Sequence, residues 1–111
     1  MNYDNKNFKP ILNSENSEIT PNTIFLYKQK GNILTSSYKG DNIIEGYLLG
    51  IVHDDGTINM VYHQVNKNGN LMTGTCISKP KLNKEGKIQL HEKWQWTSGN
   101  KTKGKSILEE I

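Results

Sequence analysis

The chain has 111 residues and a formal net charge of +3, which suits one folded domain spanning residues 1–111. A hydrophobic fraction of 33% combined with so small a net charge excludes the disordered class, in which low hydrophobicity accompanies high net charge. All 14 basic residues are lysine and they are scattered among acids. The lack of arginine argues against nucleic-acid binding, since arginine is the usual reader of guanine edges.

The N-terminal region and the single cysteine give expectations about location and partners. Residues 1–7 contain no apolar core of a signal peptide, and no apolar stretch approaches the roughly 18 residues that span a bilayer. Cys76 is alone, so no intramolecular disulfide forms. We therefore expect a cytoplasmic protein, a monomer or homodimer, with no membrane or nucleic-acid partner.

Turn signals divide the chain into short runs rich in β-branched and aromatic residues, as at Lys30-Gly31-Asn32 and Asp54-Asp55-Gly56. No segment keeps a helical apolar period over a dozen residues. The sequence therefore predicts an all-β protein with eight strands, at residues 7–13, 23–30, 33–38, 43–53, 57–65, 71–79, 87–97 and 103–110. Tight turns join these strands except for a longer first connection at residues 14–22.

Eight antiparallel strands in sequential order predict an up-and-down meander. Sheet twist and the cost of exposed edges favour its closure into a barrel, with a strongly rolled sheet as the alternative. The interior of such a barrel is filled by side chains or holds one small ligand.

Three residues predict local irregularities in this meander. Pro10 predicts a short or bulged first strand, because proline cannot donate to the ladder. Gly46 and Gly50 share a face with Ile44 by alternation, and they are expected to permit sharp curvature or to make room for a facing tryptophan.

The seventh predicted strand alternates most regularly, which indicates one buried and one solvated face. Its apolar face carries Ile88, Leu90, Trp94 and Trp96, and its polar face carries Lys87, Gln89, His91, Lys93 and Gln95. Glu92 is the one polar residue on the apolar face. This acid is the main candidate for a functional residue.

A carboxylate on a tryptophan-rich inner face needs a partner, a proton or a ligand. Burial without a partner is costly and raises the pKa of a carboxyl group. One interpretation of Glu92 is structural, with the acid satisfied by Tyr62, Gln64 or a lysine inside the barrel. The other is functional, with the acid orienting a ligand or acting as a general acid or base.

The tryptophans and the fifth predicted strand define the surroundings of Glu92. Trp94 and Trp96 project to the same side, either as bulk core or as the aromatic wall of a pocket. Tyr62 joins that face if the even-numbered residues of its strand point inward, and Gln64 then lies near the rim. Val61 argues for the opposite parity, so alternation leaves both orientations open.

Motifs for metal, cofactor or nucleophilic chemistry are missing. His53, His63 and His91 stand in no metal-ligand spacing, and Cys76 has no second cysteine beside it. The sequence contains no P-loop and no Gly-x-Gly-x-x-Gly element. We therefore expect neither a metal nor a cofactor.

Three stretches resemble a known group of proteins: residues 62–66, residues 69–74, and residues 90–99 with Trp94-Gln95-Trp96-Thr97-Ser98-Gly99 as their most specific part. From about residue 23 to residue 111 the chain is similar to small bacterial proteins labelled N-acetylglutamate synthase. That resemblance implies an acetyltransferase activity but assigns no catalytic residues. The meander with a polar group in an aromatic interior is also similar, at the level of fold, to lipocalin and avidin barrels.

The preferred hypothesis is a barrel that binds a small, partly apolar molecule inside. Its predicted site residues are Glu92, Trp94, Trp96, Tyr62 and Gln64. The first alternative is an enzyme that uses Glu92 as an acid or base, which includes the N-acetylglutamate synthase activity. The second is a structural or interaction module with a filled core.

Overall fold

The computed structural model describes residues 2–111 and has a closed barrel of eight antiparallel strands in sequential order. The strands are β1 Lys6–Asn13, β2 Ile24–Lys30, β3 Ile33–Gly40, β4 Ile43–Val52, β5 Ile58–Asn66, β6 Leu71–Leu82, β7 Ile88–Trp96 and β8 Lys103–Glu110. The predicted all-β meander is confirmed, and it closes fully rather than remaining a rolled sheet. Residues 2–111 contain no helix long and apolar enough to cross a membrane.

The barrel closes where β1 pairs with β8, and this seam is irregular. Pro10 pairs with Leu108 and Leu12 with Ile107, so the register shifts between Pro10 and Leu12. The bulge predicted from Pro10 is confirmed. It lets β1 bend across the seam without a ladder hydrogen bond from the proline nitrogen.

One end of the barrel is closed by the N-terminal segment. The Tyr3 ring is fully buried, and its hydroxyl donates a 2.6 Å hydrogen bond to the Gly56 carbonyl in the turn between β4 and β5. Tyr3 makes edge contacts with Phe8 and Tyr27, whose ring centroids lie 4.9 Å apart. This aromatic cluster seals the end at which the β2–β3, β4–β5 and β6–β7 turns lie.

Glycines on the inner face make room for aromatic rings. A Cβ at Gly46 would overlap the Tyr38 ring, and a Cβ at Gly104 would overlap the Trp94 indole. The residue that faces Gly46 is thus a tyrosine, and the prediction of a facing tryptophan is wrong. Trp94 instead lies over Gly104, on the neighbouring strand β8.

The start of β4 also differs from the alternation expected along that strand. The register with β5 shifts between Ile43 and Glu45. Ile43 is consequently buried, while Ile44 is 57% exposed. The assignment of Ile44 to the inner face with Gly46 is wrong, because a bulge reverses the parity of the residues before it.

Candidate ligand-binding site

A cavity of about 60 Å³ lies in the barrel interior, beneath the β1–β2 connection formed by residues 14–23. A space of this size holds a few water molecules. Its walls are mostly aromatic or aliphatic, with Phe25, Tyr27, Tyr38 and Leu48 among the lining residues. The structure brings all the predicted site residues to this one cavity: Glu92, Trp94, Trp96, Tyr62 and Gln64.

The orientation of β5, which alternation left open, is decided by its pairing with both neighbours. Ile58 and Met60 are buried and Gln64 is 3% exposed, whereas Val61 is 59% exposed. Tyr62 therefore points inward, with a half-buried ring that contacts Trp96 at a centroid distance of 5.6 Å. Val61 belongs to the outer, solvated face.

Glu92 is buried at the centre of the barrel, with a hydroxyl as its partner. The Ser78 side chain donates a short hydrogen bond to Glu92 Oε2 from the adjacent strand β6. Burial raises the pKa of Glu92 from 4.5 to about 7, and hydrogen bonds from Ser78 and from the Cys76 thiol partly oppose that rise. The predicted structural partners, Tyr62, Gln64 or a lysine, are thus wrong for this acid.

Cys76 lies beside this pair on the inner face of β6. Its sulfur is 3.9 Å from Ser78 Oγ, and the side chain is 5% exposed. Burial raises the pKa of the thiol well above its ordinary value, and the nearby Glu92 carboxylate raises it further. The protonated thiol is therefore a small core group and a weak donor, not an activated nucleophile.

Tyr27 is the functional candidate that the sequence did not reveal. Its side chain is fully buried on β2 and lines the cavity, and its hydroxyl has no hydrogen-bond partner among residues 2–111. Burial raises the pKa of this phenol well above 10, and Glu92 is the next largest cause. A signal was present, because Tyr27 alternates with Phe25, but nothing in the sequence marks an unpaired hydroxyl.

The two tryptophans line the cavity with their polar N–H groups already engaged. Trp94 Nε1 donates to Ser106 Oγ at 2.9 Å, and Trp96 Nε1 donates to the Asn16 carbonyl at 3.2 Å. The two indoles meet edge to face at 5.7 Å. They form a rigid aromatic corner with both N–H groups satisfied.

One of the side chains that hold the β1–β2 connection over the cavity is acidic. Glu18 accepts hydrogen bonds from Gln64 Nε2 at 2.7 Å and from Asn66 Nδ2 at 2.8 Å. Gln64 Oε1 in turn accepts the Tyr38 hydroxyl at 2.8 Å. Gln64 thus holds the connection on the barrel end. Sequence reasoning missed Glu18, because it lies in an irregular segment without periodicity.

A second set of hydrogen bonds holds the same connection on the other side of the barrel mouth. Asn16 Nδ2 donates to Thr102 Oγ1 and to the Lys103 carbonyl, each at 2.9 Å. Its own carbonyl accepts the Trp96 indole. The connection is therefore held on both sides of the barrel mouth.

Metal-binding groups do not cluster in the part of the chain that the structure describes. Over residues 2–111 no group of three or more His, Cys, Asp or Glu side chains is placed to hold a metal ion. His53 and His63 are exposed, and His91 lies on the outer face of β7.

A closed eight-stranded meander with an aromatic cavity inside defines the up-and-down β-barrel class. Within that class the chain belongs to the avidin-like family, because the family model described as "Avidin-like protein" matches residues 1–111. No curated protein and no solved structure matches the chain. The family match agrees with the fold-level similarity to avidin barrels and gives no support to the N-acetylglutamate synthase label.

Proposed function

We propose that the barrel binds one small, partly apolar molecule in this cavity, with the polar atoms of the ligand directed at Glu92 and Tyr27. The observation that carries the proposal is the Tyr27 hydroxyl, which is fully buried, unpaired among residues 2–111, and in the same cavity as a buried acid. An unpaired buried hydroxyl costs about 1–3 kcal/mol. A ligand atom that pairs with it recovers that cost on binding.

The aromatic lining supports the apolar part of the proposed ligand. Trp96 makes edge contacts with both Trp94 and Tyr62, at interplanar angles of 65° and 72°. Such a corner contacts a compact apolar group on two sides. Sites for small molecules commonly combine apolar walls of this kind with a few oriented polar groups.

The size of the cavity sets how the ligand enters. About 60 Å³ is well below the roughly 300 Å³ at the lower end of ordinary ligand pockets. A ligand of more than a few heavy atoms therefore requires the β1–β2 connection to move outward. Release of Glu18 from Gln64 and Asn66 opens the cavity on the β5 side of the mouth.

The proposal is tested by a ligand screen using thermal shift, followed by calorimetry on the hits. Wild type is compared with Glu92→Gln and Tyr27→Phe, and Glu85→Gln is the control because Glu85 is exposed in the β6–β7 turn. We expect hits that the two cavity variants weaken by tenfold or more and that the control leaves unchanged. A broad screen without hits would favour the structural module with a filled core.

A second candidate function is general acid–base catalysis by Glu92 on a bound substrate. The observation in its favour is the pKa of about 7 that burial gives this carboxyl, since catalytic acids and bases work best near the operating pH. Its test is turnover of a compound that the screen identifies. The activity should follow the titration of Glu92 and disappear in Glu92→Gln. Binding of the compound without turnover would exclude the catalytic function.

A further inference from the structure

The charged side chains that line the cavity are all acidic. Glu92 lies deep in the barrel, and Glu18 belongs to the β1–β2 connection that covers the mouth. No lysine or histidine of the described chain lines this cavity, although the protein has 14 lysines and a net charge of +3. The interior thus has the opposite sign to the molecule as a whole, which disfavours an anionic ligand.

The aromatic rings add to this preference. Trp94 and Trp96 both line the cavity, while their N–H donors bind Ser106 and the Asn16 carbonyl. An indole whose N–H is engaged has no polar hydrogen left for an anion, whereas its π face attracts a cation. Neither indole is available to donate to a carboxylate or phosphate of a ligand.

From these charges and ring faces we infer that the ligand is a small organic cation, a protonated amine that donates an N–H to the Glu92 carboxylate and packs its alkyl carbons against the two indoles. The Tyr27 hydroxyl accepts a second N–H of the same ammonium group. This inference rests on the proposed function and specifies the chemistry of its ligand.

An ion pair of this kind makes binding depend on pH. The cation requires ionised Glu92, whose pKa is about 7 in the free protein. The affinity for the cation should therefore rise between pH 6 and pH 8. At pH 6, where Glu92 is mostly protonated, binding of the cation should release the Glu92 proton. The other groups around Glu92 stay neutral over this range, since burial raises the pKa values of the residues that face it from β2, β3, β5 and β6: Tyr27, Tyr38, Tyr62 and Cys76. Glu18 is the other carboxylate of the cavity.

Three compounds that share a tert-butyl group and differ in charge test the inference: tert-butylammonium, tert-butanol and pivalate, with methylammonium as a smaller cation. Each is titrated calorimetrically at pH 6 and pH 8. We expect a cation to bind at least tenfold tighter than tert-butanol at pH 8 and roughly tenfold weaker at pH 6, with no heat from pivalate. Repeating the pH 6 titration in two buffers of different ionisation enthalpy reports the released proton.

Variants separate the cation preference from binding itself. Glu92→Gln, with its fold checked by circular dichroism, should bind the cations no better than tert-butanol. Glu15→Gln, in the exposed part of the connection, should behave as wild type. Equal or tighter binding of tert-butanol or pivalate overturns the cation inference and leaves the proposed function intact. The inference is also overturned if neither cation binds. The proposed function, in contrast, is overturned only if the broad ligand screen finds no hits.

Discussion

Ser78 on β6 stands directly opposite Glu92 on β7, and its hydroxyl donates a hydrogen bond to the Glu92 carboxylate. On the other side of β7, Glu92 pairs with Ser106 of β8, whose hydroxyl accepts the Trp94 indole N–H and makes no hydrogen bond to the acid among residues 2–111. The acid therefore has a hydroxyl donor on one flank, together with the Cys76 thiol. That is too little to stabilise a charge at the centre of the barrel, so its pKa rises.

The first prediction concerns the pH dependence of stability. The folded protein binds the Glu92 proton more tightly than the unfolded chain does, because burial raises the pKa of this carboxyl from 4.5 to about 7. The contribution of protonated Glu92 to the free energy of unfolding is therefore fully present below pH 4.5 and is lost as pH rises towards 7. The loss amounts to about 3 kcal/mol. Glu92→Gln should match wild type near pH 4.5 and be more stable at pH 8, as measured by urea unfolding at both values.

Glu85→Gln serves as the control for that measurement, because Glu85 is exposed and far from the barrel interior. Its unfolding free energy should follow wild type at both pH values. A Glu92→Gln variant that is less stable than wild type at pH 8 would contradict the burial argument, since it would mean that the ionised acid stabilises the fold.

The second prediction compares two buried tyrosines on neighbouring strands. The Tyr27 hydroxyl has no partner among residues 2–111, whereas the Tyr38 hydroxyl donates to Gln64 Oε1 at 2.8 Å. Tyr27→Phe should therefore leave stability unchanged or raise it, and Tyr38→Phe should lower it by about 1–3 kcal/mol. Equilibrium unfolding of the two variants side by side gives the answer. Equal losses in both would mean that Tyr27 has a partner in solution.

The third prediction concerns the packing beneath Trp94. A methyl group at Gly104 would overlap the indole ring, and both the ring and the backbone of β8 are confined by the barrel. Gly104→Ala should cost about 1–3 kcal/mol through overpacking. It should also shift the tryptophan fluorescence maximum as the ring moves.

Lys103→Ala is the matched control, since it changes an exposed side chain one residue away on the same strand. Its fluorescence and stability should stay close to wild type. If Gly104→Ala also leaves stability and the fluorescence maximum unchanged, the Trp94 ring does not lie as close to β8 as the structure places it.

The fourth prediction concerns the closure of the cavity. Glu18→Ala removes the acceptor for both Gln64 Nε2 and Asn66 Nδ2, so the free energy of opening the β1–β2 connection should fall by about 1–3 kcal/mol. Hydrogen exchange of residues 14–22 should then be faster, and acrylamide should quench tryptophan fluorescence more strongly. Glu15→Ala, in the exposed part of the same segment, should change neither. Unchanged exchange and quenching in Glu18→Ala would show that Glu18 does not hold the connection closed.

Period-two alternation and turn residues were enough to predict the eight strands, because each strand has one buried face and each turn needs particular backbone angles. The same alternation predicted that Glu92 shares an inner face with Trp94 and Trp96. It failed at Ile44, where a bulge reverses the parity, and it left Tyr62 undecided because Val61 matched the opposite pattern.

The sequence by itself determined the closed meander and the residues of β7 that point into it, since both follow from local periodicity. The tertiary structure alone decided which groups meet Glu92, because the relative register of two strands places Ser78 opposite the acid. It also decided that Tyr27 lacks a partner and that Glu18 closes the mouth. Alternation assigns a side chain to a face, but the neighbours across that face depend on strand register and on the path of an irregular connection, neither of which has a periodic signal.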